Sequence, residues 1–320
     1  MSALAWLGRQ GTRATTVLVF IGIAMPPVDA VLKRFVPEAV FILLCIAFVR
    51  VDAAALRGSL ARPVIVLAAT VWTMVLVPVL FGASCLAVGL GARAPDLELA
   101  VMLQALASPM MAAPSLAALM GLDATLVLVT LVTSSALLPL TAPLFAYVFV
   151  GPALTLSPLA LGGRLFTIVA GSVLTAVIIR RIVGIAAITR YKPEIDGFNI
   201  LVMFVFVAAV MEHVAERALA VPMVVLGLLA LALVVFFGVF GLTALLFAGA
   251  GRERALALGF MTSQRNMGIM AAAASVLPDL AWLYFAMCQF PIFLAPQLLG
   301  PLITPPGASS PSASRYRSAG

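Results

Sequence analysis

The stretch TSQRN at 262–266 places five consecutive polar side chains inside an apolar run that extends over 254–277. At 1.5 Å per residue of helix, Arg265 lies about 18–21 Å from the charged residues that bound this run, too far for its side chain to reach either membrane surface. An Arg at this depth costs about 2.5–3.5 kcal/mol on insertion scales, so it needs a partner or a water-filled cavity. The stretch therefore predicts a polar break in a membrane-spanning helix.

A second break is predicted in the apolar run 98–121, where Pro109 and Pro114 stand between Ser108 and Ser115. Each proline removes a backbone donor and clashes with the preceding helical turn. Two prolines at this spacing favour an unwound turn over a simple kink. Open backbone at membrane depth is tolerated only where it lines a cavity or is buried in protein, so this turn is a second part of the candidate site.

The composition excludes a soluble globular protein. Of the 320 residues, 64% are hydrophobic and 10% are charged, with a mean hydropathy of +1.20, against roughly 45–50% and about 25% in soluble domains. The net charge of +7 is assigned to cytoplasmic loops and not to nucleic-acid binding. The three cysteines lie in apolar runs without a paired motif, and the chain has one histidine, so no metal site is expected.

Dividing the apolar runs at charges and at Pro/Gly clusters predicts ten membrane spans. They are 15–32, 38–50, 63–91, 98–121, 124–150, 158–182, 197–215, 221–249, 254–277 and 280–303. Ten spans place both termini on one side, and most Lys and Arg residues fall on that side, which predicts that both termini are cytoplasmic. We expect a multi-pass protein in the lipid bilayer of a bacterial inner membrane.

The ten spans divide into two sets of five, and an odd number per set permits an inverted repeat. Weak internal similarity supports it, because Ser108 matches Ser263 and Asp123 matches Asp279 at nearly the same offset. The expected organisation is an N-terminal cytoplasmic segment at 1–14, a first repeat at 15–150, a second at 158–303 and a disordered Pro/Ser-rich tail at 304–320.

Arg265 has two interpretations. As a fixed cation it would bind an anionic substrate, and this is favoured because no Asp or Glu lies deep in any span to neutralise it. A guanidinium matches a carboxylate through two parallel hydrogen bonds. As a structural cap it would instead donate to backbone carbonyls freed around Pro109 and Pro114.

The two polar breaks, in the fourth and ninth of ten spans, resemble those of the bile acid:sodium symporter family. The resemblance covers about 15–303, and its specific motifs lie in Ser108–Asp123 and Gly259–Ala273. It implies an all-α membrane fold of two inverted five-helix repeats, with a panel domain from spans 1, 2, 6 and 7 and a core domain from spans 3–5 and 8–10. Broken spans 4 and 9 would cross in the core at the substrate and ion sites.

The ninth span departs from the family pattern at its sodium ligands. The family's glutamate falls on Met261 and its glutamine on Arg265, whereas Asn266 and Gly268 are retained. Sodium needs several oxygen ligands and tolerates a neighbouring cation poorly. The sequence therefore disfavours the two-sodium mechanism, and no cofactor is expected.

The fourth span departs as well, since the family's ion-liganding pair falls on Pro114 and Ser115. Related arsenite carriers have a cysteine where this chain has Ser108, Pro109 and Met110, which disfavours metalloid transport. A glutamine in the family's third span falls near Thr73. Other oxygens near the crossing could come from the fifth and tenth spans, although each also fits an ordinary helix–helix hydrogen bond. These are Thr130, Thr133, Ser134, Ser135 and Gln289.

The function expected from these features is secondary active transport of a small organic anion by alternating access, without the two-sodium site. The alternatives are a sodium-coupled symporter with a rebuilt ion site, and a non-transporting membrane sensor or scaffold. An enzyme is not expected, because the single histidine lies at a helix end and no nucleophile has a base at depth. The expected substrate-site residues are Thr73, Ser108, Pro109, Ser115, Ser263, Gln264, Arg265, Asn266 and Gln289, and the weaker ion-site candidates are Ser115, Thr130, Thr133 and Ser134.

Overall fold

The computed structural model describes residues 3–7, 32–51, 63–151, 156–211, 214–274 and 277–303. Its ordered elements in these ranges are helices, and the only extended pairing is an isolated bridge. The first predicted span, apart from its last residue, and the tail 304–320 lie outside the described residues. So does the segment 1–14, apart from a short helix at 3–7.

The main helices are numbered α1 to α11 in chain order. They are α1 Val36–Val49, α2 Pro63–Val88, α3 Pro95–Leu106, α4 Ala113–Leu119, α5 Ala124–Val150, α6 Pro158–Val183, α7 Lys192–Val210, α8 Pro222–Leu246, α9 Arg252–Ser263, α10 Met267–Ala274 and α11 Asp279–Ile303. A short helix at Lys33–Phe35 precedes α1. Other short helices lie between the main ones at Leu90–Arg93, Ile185–Arg190, Val214–Ala220 and Ala248–Ala250. Helix α2 contains a π turn at Trp72–Leu76, and α5 ends in one at Ala146–Val150.

Six of the described helices are long and apolar enough to cross a membrane: α2, α5, α6, α7 with its extension to Ala220, α8 and α11. Large apolar side chains point outward from this assembly, as at Leu159 in α6, 87% exposed, and Leu245 in α8, 76% exposed. Such an apolar outer surface is stable against lipid and not against water. The all-helical architecture is therefore that of a multi-pass membrane protein, as expected from the composition.

Both predicted breaks are confirmed. The fourth predicted span forms α3 and α4 with an unwound turn between them, and the ninth forms α9 and α10 in the same way. The longer halves, α3 and α9, have 12 residues each, which gives about 18 Å of helix, too short to cross the hydrocarbon layer alone.

Local capping explains where the helices restart. The Asp123 carboxylate accepts the Leu126 N–H at 2.9 Å at the start of α5. Two residues before Asp123, Gly121 has a φ of +72° and closes the turn that follows α4. At the start of α6, the Ser157 hydroxyl accepts the Ala160 N–H at 3.2 Å, with proline at the first helical position. These caps separate consecutive helices with connections of only a few residues.

Three ion pairs join helix ends that the ten-span path places on the same side. Arg50 contacts Asp196 at 2.7 Å, Arg254 contacts Asp123 at 3.9 Å, and Arg217 contacts Asp279 at 2.6 Å. Partly exposed pairs of this kind contribute about 0–1 kcal/mol each. Each pair joins two residues that the predicted alternation of helix direction places on the same face of the membrane.

We predict that the loop near Ala94 faces the outside and that the loop before α7 and the C-terminal tail face the cytoplasm. Ala92→Cys should react with a membrane-impermeant thiol reagent on intact cells, whereas Thr189→Cys should react only after permeabilisation. The native cysteines are buried, which keeps background labelling low. Labelling of a tail cysteine at Ser318 from outside intact cells would reverse the orientation.

Candidate functional site

The two helix breaks bind each other through their main chains. The Met110 N–H donates to the Gln264 carbonyl at 2.7 Å, and the Asn266 N–H donates to the Ser108 carbonyl at 2.9 Å. These bonds are arranged symmetrically about the antiparallel pair formed by Pro109 and Arg265. The unwound backbone of each break therefore satisfies that of the other at the centre of the protein, as apolar surroundings require.

This pairing bears on the register of the expected internal repeat. The same spacing separates Pro109 from Arg265 and Asp123 from Asp279. A repeat with this spacing would make Ser108 the counterpart of Gln264, one position away from the match to Ser263.

Arg265 caps backbone carbonyls in this structure. Its side chain is buried, with 4% of the residue exposed. Nη1 donates to the Ala107 carbonyl at 2.8 Å, and Nη2 donates to the Thr73 carbonyl at 3.1 Å. Ala107 directly follows α3 as its C-cap, so the guanidinium lies near the partial negative charge of a helix C-terminus. These contacts match the structural interpretation of Arg265, with Ala107 and Thr73 as the acceptors.

The Thr73 carbonyl can accept a hydrogen bond from a side chain because the π turn of α2 and Pro78 leave it without a backbone donor. The Val77 N–H, which would reach Thr73 in a regular α-helix, donates instead to the Trp72 carbonyl. Pro78, the next donor in a π pattern, has no N–H. Arg265 supplies the missing donor.

Gln264 repeats this role on another helix. Its Nε2 donates to the Ile292 carbonyl of α11 at 3.1 Å. In a regular helix that carbonyl would accept from position 296, which is Pro296. The Gln264 side chain is fully buried, and its Oε1 has no hydrogen-bond partner among the described residues.

Polar side chains of α2 connect this helix to three others. The Thr70 and Thr133 hydroxyls lie 2.9 Å apart between α2 and α5, and those of Thr73 and Thr262 lie 3.2 Å apart between α2 and α9. The Trp72 indole N–H donates to the Thr243 hydroxyl of α8 at 2.9 Å. For Thr133, the alternative interpretation as a helix–helix hydrogen bond is thus observed, and Thr73 forms a bond of the same kind.

Four other hydroxyls are buried without a hydrogen-bond partner in the described part of the chain. They are those of Ser108, Thr130, Ser134 and Ser135. Buried polar atoms are nearly always paired, so these oxygens mark positions for water, an ion or a ligand. Thr130 and Ser134, two of the predicted ion-site residues, belong to this group.

Three other predicted site residues, Ser115, Ser263 and Gln289, are either exposed or hydrogen-bonded. Ser115 is exposed on α4, so it does not lie with the buried hydroxyls. The Ser263 hydroxyl donates to the Phe260 carbonyl at 2.9 Å, and Gln289 Nε2 donates to the Phe285 carbonyl at 3.2 Å, both within their own helices. Asn266 contributes its backbone N–H to the crossing and is half-buried.

A small cavity adjoins Arg265, with a volume of about 10 Å³, or room for about one water molecule. An organic ligand needs a cavity of several hundred Å³, so this cavity is too small to hold one. The cavity is lined by Phe81, Gln104, Ala105, Val235, Val239, Thr262, Ser263 and Arg265.

Gln104 is a site residue that the sequence interpretation missed. It lines the cavity, and its Oε1 accepts the Tyr284 hydroxyl at 2.5 Å. Its polarity inside the apolar helix α3 was a usable signal, because a polar side chain at membrane depth is rarely without function. The π turn of α2 had a weaker signal, the proline at position 78 inside an apolar run.

Comparison with known proteins finds no protein-family model and no characterised protein that matches this chain. The resemblance to bile acid:sodium symporters therefore rests on the motif residues of the two breaks. The structure defines the class as a helical membrane protein in which two broken helices pair at a buried polar site.

We predict that Thr130 and Thr133 respond differently to replacement by valine. Thr133→Val removes the bond to Thr70 and should lower the free energy of unfolding by about 0.5–1 kcal/mol. Thr130→Val removes a hydroxyl without a partner and should leave thermal stability in detergent unchanged or raise it. A loss of stability in Thr130→Val equal to that in Thr133→Val would contradict the assignment.

Proposed function

We propose that this protein is a secondary active transporter that moves a small organic anion by alternating access, with its substrate at the crossing of the two breaks. The main-chain pairing of Ser108–Met110 with Gln264–Asn266 carries the proposal. Irregular backbone at membrane depth is typical of transporter binding sites, where half-helix ends and unwound carbonyls meet the cargo. Paired breaks of this kind fit alternating access better than they fit a scaffold or a sensor.

The proposed architecture has ten spans in two inverted repeats, in a bacterial inner membrane with both termini in the cytoplasm. Support comes from the matching order of elements: α3 and α9 have 12 residues each, and a short half-helix and a long helix follow each of them. The symmetric pairing of the breaks is what a two-fold axis in the membrane plane would produce. The panel and core domains are proposed on the resemblance.

The anionic charge of the substrate is proposed from Arg265. No described carboxylate forms an ion pair with this buried cation, and only two of the five N–H donors of its guanidinium bind carbonyls. The side chain also borders the small cavity. When that cavity opens, the remaining donors are free for a carboxylate, and the apolar surroundings strengthen the attraction.

A sodium-coupled symporter is the second candidate, and one specific observation favours it. The unpaired hydroxyls of Thr130, Ser134 and Ser135 are neutral oxygens of the kind that bind Na⁺. The buried positive charge of Arg265 opposes a second cation nearby. We therefore propose transport without sodium.

The test of the anionic substrate uses substitutions of Arg265. A thermal-shift screen of the purified protein against small carboxylates, sulfonates and sterol conjugates identifies a ligand, because a compound that binds only the folded state raises Tm. We expect Arg265→Gln to abolish the shift and Arg265→Lys, which keeps the charge but loses the planar fork, to retain a reduced one.

Trp72→Phe is the matched control for this experiment. It removes the bond between α2 and Thr243 of α8 and leaves the charge of Arg265 in place. It should lower Tm and preserve the ligand-induced shift. If Arg265→Gln shows a normal shift, or if binding falls in step with stability in all three variants, Arg265 is scaffolding and the anionic substrate is wrong.

The coupling ion is tested by uptake into proteoliposomes. We expect the rate for a carboxylate identified in the screen to be the same in sodium chloride and in choline chloride at equal ionic strength. A steep, saturable sodium dependence that Thr130→Val abolishes would establish the second candidate instead. The absence of uptake under an anion gradient would favour a sensor or scaffold.

A further inference from the structure

Two carbonyls near the crossing lack a backbone donor because of prolines, and two adjacent side chains supply the missing donors. Pro78 and the π turn leave Thr73 without an N–H partner, and Pro296 leaves Ile292 without one. Arg265 donates to the first carbonyl at 3.1 Å, and Gln264 donates to the second at 3.1 Å. An unpaired carbonyl in apolar surroundings costs several kcal/mol, so each donor stabilises the helix that carries the carbonyl.

We propose that Arg265 and Gln264 are positioning residues that replace the backbone donors absent at Pro78 and Pro296. Through them, the break between α9 and α10 holds the π turn of α2 and the proline-interrupted part of α11. The proposal concerns the construction of the site, and it holds whether or not the protein transports an anion.

The arrangement joins elements that are far apart in sequence. The same break also pairs with the turn between α3 and α4 through Ser108 and Met110, and Arg265 holds the end of α3 at the Ala107 carbonyl. One stretch of three residues therefore contacts α2, α3 and α11. We expect these helices to move with the break as one unit when the site opens.

The matching of each side chain to one proline provides the test. In Arg265→Met the Thr73 carbonyl loses its donor, and adding Pro78→Ala restores a backbone N–H that can reach it, either from position 78 or from Val77 in a regular helix. About half of the lost Tm should return, because the Ala107 carbonyl stays without its donor. In Gln264→Ala, where one bond is lost, Pro296→Ala should return most of the loss.

The crossed combinations are the controls. Pro296→Ala added to Arg265→Met, and Pro78→Ala added to Gln264→Ala, should change Tm only by the sum of the single effects. A general stabilisation of helices by removal of proline would rescue both backgrounds equally, and that result overturns the proposal. Absence of rescue in the matched pairs also overturns it.

Hydrogen–deuterium exchange gives a second measurement that does not require a reversible melting curve. In Arg265→Lys, the more conservative variant, the amides of 74–79 should exchange faster than in the native protein, and Pro78→Ala should restore their protection. Unchanged exchange in Arg265→Lys and Arg265→Met would contradict the role of Arg265 at the π turn. Neither measurement uses a substrate, so a failure of carboxylate binding and a failure of this proposal are distinguishable.

Discussion

The pairing of one open turn with another is the constraint on which this structure depends. Each break exposes N–H and C=O groups to apolar surroundings, where each unpaired group costs several kcal/mol. The bonds from Met110 to Gln264 and from Asn266 to Ser108 remove that penalty for both breaks at once. The main-chain bonds between the breaks therefore link the crossing to the arrangement of the surrounding helices.

The buried charge of Arg265 is accommodated by dipoles and not by an acid. The carbonyls of Ala107 and Thr73 solvate the guanidinium, and the first of them terminates a helix, where the macrodipole is negative. Carbonyls compensate a cation without cancelling its charge. The centre of the protein therefore keeps a net positive charge in apolar surroundings, and this is the physical basis for proposing an anionic substrate.

Two prolines of this protein leave carbonyls of their own helices without a backbone hydrogen-bond donor. Pro78 and Pro296 each free a carbonyl on a long apolar helix, and those carbonyls face the polar break of the ninth span. The hydroxyl contacts of Thr70 and Thr73 add further bonds between helices at the same level. Polar contacts thus concentrate in one layer of an otherwise apolar structure, and the buried hydroxyls of Thr130, Ser134 and Ser135 in α5 have no described hydrogen-bond partner.

The sequence by itself determined that the chain is a helical membrane protein, where the described long helices run, and that the fourth and ninth spans break, because hydropathy and proline act locally. It also identified Arg265 as buried and without an acidic partner. Only the tertiary structure decided that Arg265 binds Thr73 and Ala107, that Gln264 faces Ile292, and that Ser115 is exposed on α4. These contacts join residues far apart in the chain, and a free carbonyl has no signature in its own side chain, so no local pattern could predict them.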